Sequence, residues 1–160
     1  MKCTVMVMSM LLTVVGLARS QDRPAHPSFP SNPLVAQTEA EKKILPIMDH
    51  MVKFHRTYLS VPLEDGEALR LLAETADAKQ VVEIGTSTGY SGLWFCLALE
   101  KTGGHLTTFE IDHERAAMAR GHFKDAGVEN LVTVVEGDAH ENVAKLKMRI
   151  DVDCADHEFN

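Results

Sequence analysis

Val81-Val82-Glu83-Ile84-Gly85-Thr86-Ser87-Thr88-Gly89-Tyr90-Ser91 is the stretch on which the fold turns. An apolar run of strand character breaks into a turn with glycine at both ends and passes directly into a segment of helical character. A second strand, Leu106-Thr107-Thr108-Phe109, then delivers Glu110. Strand, glycine turn, helix and a strand ending in an acid is the order by which a Rossmann-like half-domain holds a ribose-bearing cofactor.

The glycine spacing narrows the cofactor. A dinucleotide fingerprint wants glycine at the first, third and sixth turn positions, and here these are Gly85, Ser87 and Tyr90. A Walker loop ends in Gly-Lys-Ser/Thr, whereas Gly89-Tyr90-Ser91 has no lysine. What remains is an acid and two spaced glycines, Glu83, Gly85 and Gly89, which suit a cofactor without a pyrophosphate whose short amino-acid tail lies across the turn. S-adenosylmethionine meets that description.

The candidate contacts follow from residue chemistry. Glu110, at the carboxyl end of the second strand, has the acceptors for both ribose hydroxyls. Gly85 and Gly89 leave backbone room around Ser87, the first amides of the following helix face the methionine carboxylate, and Ser91 adds a hydroxyl. Glu83, inside an apolar run, is costly to bury and so calls for a partner, either the cofactor's ammonium group or a backbone amide.

These words, together with Leu59-Ser60-Val61-Pro62-Leu63-Glu64-Asp65-Gly66, Thr108-Phe109-Glu110-Ile111-Asp112 and Glu136-Gly137-Asp138-Ala139, resemble the class I S-adenosylmethionine-dependent O-methyltransferases of the catechol and caffeoyl-CoA type. The resemblance runs in order from Lys53 to Asp156. It implies methyl transfer to a hydroxyl of a small, catechol-like acceptor, with Mg2+ or another divalent cation assisting. It also implies that Asp138 and Ala139 lie beside the adenine, while Leu59 and Val61 close the pocket. In the resembled family the fourth strand ends in Asp-Ala-Asp-Lys, which supplies a metal ligand and a proton-accepting lysine. The matching tail here is Cys154-Ala155-Asp156-His157, which makes Asp153 and Asp156 the metal candidates and His157 the catalytic one. The resemblance further implies later strands and a second metal-binding pair that this sequence does not carry, hence a C-terminally truncated domain whose turnover is in question. Two alternatives stay open on these residues: a module that binds S-adenosylmethionine without turnover and, less favoured by the glycine spacing, an NAD-dependent oxidoreductase.

The alternation of strands and helices predicts an α/β, Rossmann-like fold with a parallel sheet covered by helices on both faces. Thr38 and Glu41 form a capping box ahead of a helix carrying Ile44, Leu45, Met48, Met51, Val52 and His55, within which Pro46 is an expected irregularity. A second helix is predicted over Glu64 to Ala76 on Leu69, Leu71, Leu72 and Ala76, and a third after Gly89, ending at Thr102-Gly103-Gly104. A strand over His105 to Ile111 leads to a helix capped by Asp112 and stopped by Gly127. A strand over Leu131 to Val135, a short helix around Val143 to Leu146 and a last strand near Ile150 complete the pattern.

Composition sets outer bounds. With 160 residues, 45% hydrophobic, and a formal net charge of −7, the chain has room for one domain, and its field repels nucleic-acid backbones and anionic membranes. Met1-Lys2, the apolar stretch from Cys3 to Leu17 and Ala18-Arg19-Ser20 read as a signal peptide over residues 1–20, with cleavage before Gln21. That reading predicts a secreted or periplasmic protein with no span after cleavage. A membrane anchor, or a cytoplasmic protein with a mis-assigned start, is the alternative, favoured by the cytosolic origin of S-adenosylmethionine. Residues 21–36, punctuated by Pro24, Pro27, Pro30 and Pro33, read as a linker, and 37–160 as the cofactor-binding domain. The 8 histidines share no ligand spacing, the 3 cysteines do not form a disulfide framework, and a homodimer is left open.

Overall fold

The computed structural model describes residues 35–54 and 61–155. The predicted leader, nearly all of the predicted linker, His55, Leu59, Asp156 and His157 lie outside the described residues. Of the two units into which the chain divides, Met1–Val35 and Ala36–Asn160, the second holds every helix and strand described.

Four strands form a wholly parallel sheet in the order β3-β2-β1-β4, with β1 Gln80–Ile84, β2 His105–Glu110, β3 Val132–Glu136 and β4 Val152–Ala155. As a central strand covered on both faces, β1 buries Val81, Val82 and Glu83 in succession, the uninterrupted burial expected of a parallel strand. The chain steps outward from β1 to β2 to β3 and then returns to the opposite side of β1 as β4. The strand order therefore reverses between β1 and β4, and the carboxyl ends of those two strands form the crevice in which open α/β sheets take ligands.

The helices follow from local chemistry. In α1, Glu39–Phe54, the capping box closes in both directions: Glu41 N–H donates to Thr38 Oγ1 at 3.1 Å and Thr38 N–H to Glu41 Oε2 at 2.9 Å. Pro46 sits inside this helix, where it removes one backbone donor. Ile44, Leu45, Met48 and Met51 form its buried face. In α3, Tyr90–Thr102, every residue from Tyr90 to Leu99 is buried. Trp94 and Leu97 belong to one buried cluster with the inner face of α1 and with Ala119 and Phe123, while Phe95 and Leu99 belong to another with Val81 and Leu106 of the sheet. Asp112 caps α4, His113–Asp125, by accepting from Arg115 N–H. Gly127, at φ 71°, ends it, with Val128 N–H bonded to Phe123 O and Gly127 N–H to Lys124 O. The opposite sheet face carries Val82 and Phe109 against Ala139 of α5, Ala139–Val143.

Several elements differ from the sequence expectation, each for a physical reason. Helix α2, Leu63–Thr75, buries Gly66 and Ala73, whereas Leu71 and Leu72 are 65% and 54% exposed and Ala76 is exposed as well. Its inward face was set by fit against the Trp94 ring, because a Cβ on Gly66 would stand 2.1 Å from Trp94 Nε1. Helix α5 begins at Ala139 and not near Val143, because Asp138 caps it by accepting from His140 N–H at 2.8 Å. Residues Glu129–Leu131 form a 3-10 turn, which moves the start of β3 on to Val132. The last strand begins at Val152: Asp151 Oδ2 accepts from Lys79 N–H at 3.0 Å and Gln80 N–H at 3.1 Å, pinning the entry to β4 beside the start of β1.

Candidate active site

The turn between β1 and α3 is built from unusual backbone. Gly85 and Gly89 have φ of 96° and 90°, and Ser87, which carries a side chain, has φ 49°. Gly89 is required twice over, by that φ and because a Cβ would stand 2.9 Å from Phe123 Cζ of α4. The N–H groups of Gly85 and Thr86 both donate to Phe109 O, at 2.9 and 3.0 Å, tying the turn to the end of β2.

Glu110 completes that tie. It is 5% exposed, with Oε2 accepting from Ser87 N–H at 2.6 Å and Oε1 from Asp112 N–H at 2.9 Å. Each amide occupies one acceptor position on its oxygen. An ionised carboxylate offers about four such positions, so half remain for further donors. Glu110 is thus held in place by backbone before any ligand arrives.

Glu83 lies deeper, at 2% exposure. Its Oε1 accepts from Ser91 Oγ at 2.5 Å and its Oε2 from Thr108 Oγ1 at 2.6 Å, and the hydroxyls of Thr108 and Thr86 stand 2.5 Å apart. The burial cost expected for this carboxylate is offset by hydroxyl donors from α3 and β2. Thr108 and Thr86 were not singled out from the sequence. The signal was present in register: Thr108 precedes Glu110 by two, on the same strand face, and stands directly opposite Glu83.

Beside this network opens a cavity of about 390 Å³ at the β1/β4 crevice. Of the predicted residues it gathers Val61, Glu83, Gly85 and Ser91. Asp65, Leu69 and Leu72 of α2 and Cys154 of β4 also line it. Cys154 reaches the site because it stands in register with Glu83, a pairing across the crossover that the sequence pattern does not disclose. Ser87, Gly89, Glu110, Asp138 and Ala139 are not part of the cavity wall; they lie around the glycine turn and the end of β3, and Ala139 is packed in the core. Asp153 is exposed in the middle of β4, opposite Val82, and alternates with the cavity-facing Cys154. Among the described residues no three His, Cys, Asp or Glu side chains gather in a metal-binding group. Also among them, no helix is long and apolar enough to cross a membrane.

The arrangement therefore offers an anchored carboxylate at the end of β2, a second buried carboxylate at the cavity and a glycine turn between them. Such a set can hold a ligand with hydroxyls at one end and a cationic or polar group at the other.

Comparison with known proteins bears on what that ligand is. The sequence model of a family described as O-methyltransferase matches residues 37–159. A catechol O-methyltransferase of Niastella koreensis is 38% identical over 88 residues, covering 55% of this chain and 39% of that protein. The O-methyltransferase TomG of Streptomyces achromogenes, solved in complex with SAM, superposes with a TM-score of 0.62 at 30% identity, over 78% of this chain and 56% of TomG. A SAH-bound methyltransferase of Podospora anserina shares the fold, with a TM-score of 0.64 at 22% identity over 78% of this chain and 61% of its own. The chain thus spans about two-fifths of that curated relative and little more than half of these solved structures.

Proposed function

The chain belongs to the O-methyltransferase family, and from that premise we propose that its crevice binds S-adenosylmethionine and serves methyl transfer to a hydroxyl of a small, catechol-like acceptor. The observation that carries the reading is the pair of buried acids, Glu83 and Glu110, held on either side of the Gly85–Gly89 turn by directed hydrogen bonds. Relatives solved with SAM or SAH support it as well.

When bound, S-adenosylmethionine supplies an electrophilic methyl group on a sulfonium centre, open to displacement by an oxygen nucleophile. This chain's residues provide the rest. Glu110, with acceptor positions left free by its two amide donors, takes the ribose hydroxyls. Glu83, oriented by Ser91 and Thr108, sets a negative charge where the ammonium of the amino-acid tail belongs. Val61, Leu69 and Leu72 line the cavity with apolar surface that limits water around the reacting atoms. Asp138 and Ala139 flank the adenine in the same proposal.

Asp153 alone does not make a metal centre, so one would need Asp156, outside the described residues, to join it, with His157 accepting the acceptor's proton. Residues 1–20 are proposed as a leader that exports the domain. Amino-terminal sequencing of the mature protein checks this: a chain starting at Gln21 is expected, and intact Met1 in a cytosolic fraction contradicts it.

Methyl-labelled S-adenosylmethionine and a panel of catechols test the function itself. Label on the acceptor oxygen is expected. Saturable cofactor binding without labelled product confines the function to a cofactor-binding module, and binding of NAD in place of S-adenosylmethionine overturns the reading.

A further inference from the structure

The Gly85–Gly89 turn is gripped from two sides. From β2, Glu110 accepts from Ser87 N–H. From α4, Ala119 and Phe123 close on Gly89, and His122 Nδ1 lies 2.9 Å from the carbonyl oxygen of Thr88. A carbonyl oxygen only accepts, so Nδ1 carries the hydrogen, and this contact selects the imidazole form protonated there. Thr88 is fully buried, and its hydroxyl has no hydrogen-bond partner among the described residues, which leaves the carbonyl as the polar tie between Thr88 and α4.

That tie acts on a strained piece of chain. Ser87, next to Thr88, has a side chain and a φ of 49°, a conformation that persists only when the surroundings enforce it. Were the Thr88 carbonyl released, the Thr88–Gly89 peptide would be held only through Gly89, whose N–H donates to Thr86 O and whose carbonyl accepts from Leu93 N–H. The Ser87 N–H would then be held less firmly against Glu110, leaving Asp112 N–H as the firmer of the two donors that orient the carboxylate.

We propose that His122 is a positioning residue for the cofactor: by donating from Nδ1 to the Thr88 carbonyl it holds the Gly85–Gly89 turn, and through Ser87 the Glu110 carboxylate, in the ligand-ready geometry. His122 need not touch the cofactor to do this. The proposal rests on the cofactor-binding reading above for its consequence, and on the turn geometry alone for its mechanism.

Three variants of the 160-residue chain test it. His122→Phe keeps a ring without the donor, His122→Asn keeps a donor at the Nδ1 position without the ring, and His122→Ala keeps neither. Calorimetric affinity for S-adenosylhomocysteine is expected to fall by about five- to tenfold in the Phe and Ala variants, the weight of one buried hydrogen bond, and to return to near wild type in Asn. Amide hydrogen exchange over residues 86–90, measured without ligand, is expected to quicken in Phe and Ala and not in Asn. A long-range 1H–15N spectrum of the wild type is expected to show Nδ1 protonated. Equal impairment of Phe and Asn, unchanged exchange in Phe, or an imidazole protonated only at Nε2 would each overturn the proposal. Failure of the wild type to bind S-adenosylhomocysteine would sink the cofactor reading, while the exchange and tautomer measurements would still decide the role of His122.

Discussion

Replacing Glu110 by alanine removes the acceptor for two backbone amides and, under the proposed function, for the ribose hydroxyls. Cofactor affinity should fall by about 1.5 to 3 kcal/mol, the usual weight of hydrogen bonds to a charged group. Calorimetry checks it, and equal affinity in wild type and Glu110→Ala would remove this residue from the site. Gly66 makes a purely steric prediction. With the Trp94 ring fully buried 2.1 Å from where a Cβ would stand, Gly66→Ala should cost about 2 to 3 kcal/mol by overpacking, read from chemical denaturation. Unchanged stability would mean that α2 tilts freely from α3. At this scale the acids were legible and the hydroxyls were not. A glutamate within an apolar run, like Glu83, announces that something must satisfy it. Thr108, by contrast, passes for an ordinary β-branched strand residue until the β1/β2 register sets it opposite Glu83.

Helices α1 and α2 are joined by Arg70, whose guanidinium donates to Glu41 Oε1 at 2.6 Å and Glu74 Oε1 at 2.7 Å. The Arg70 bond, aided by the backbone amides of Gln37 and Thr38, draws the Glu41 carboxyl from 4.5 down to about 2. A folded-state pKa below the unfolded one contributes stability that is fully present above the unfolded value and lost as pH falls through the folded one. The contribution of this pair should therefore drain away between about pH 5 and pH 2. Arg70→Met should destabilise the protein by about 2 kcal/mol at pH 7 and by much less near pH 2. Urea titrations at a series of pH values check this, and a wild-type-to-variant difference that stays constant down to pH 2 would contradict it. The capping box that placed Glu41 was readable from Thr38 and Glu41. Its long-range partner was not, because Arg70 lies on another helix and nothing local links them. The same limit explains α2 and α5: Leu71 and Leu72 suggest an inward face that packing against Trp94 assigns elsewhere, and α5 starts at Ala139 because Asp138 caps it, ahead of the apolar residues that suggest a start near Val143.

For the molecule as a whole, the parallel α/β sheet could be read in advance, because the order of strand, turn and helix leaves few topologies once crossovers are short and right-handed. The cavity could not, because it needs β4 to come back beside β1 and bring Cys154 opposite Glu83. Linkage gives the global prediction: at a hundredfold excess over its Kd, a ligand that binds only the folded state adds about 2.7 kcal/mol to stability. The melting temperature should accordingly rise with S-adenosylmethionine and not with NAD.

The most direct test of the central claim is calorimetric titration of S-adenosylhomocysteine into the 160-residue chain, with NAD titrated in parallel. A single saturable site for S-adenosylhomocysteine, and none for NAD, is the predicted result. Heat from NAD alone, or from neither ligand, would contradict the assignment of Glu83, the Gly85–Gly89 turn and Glu110 to a methyl-donor site.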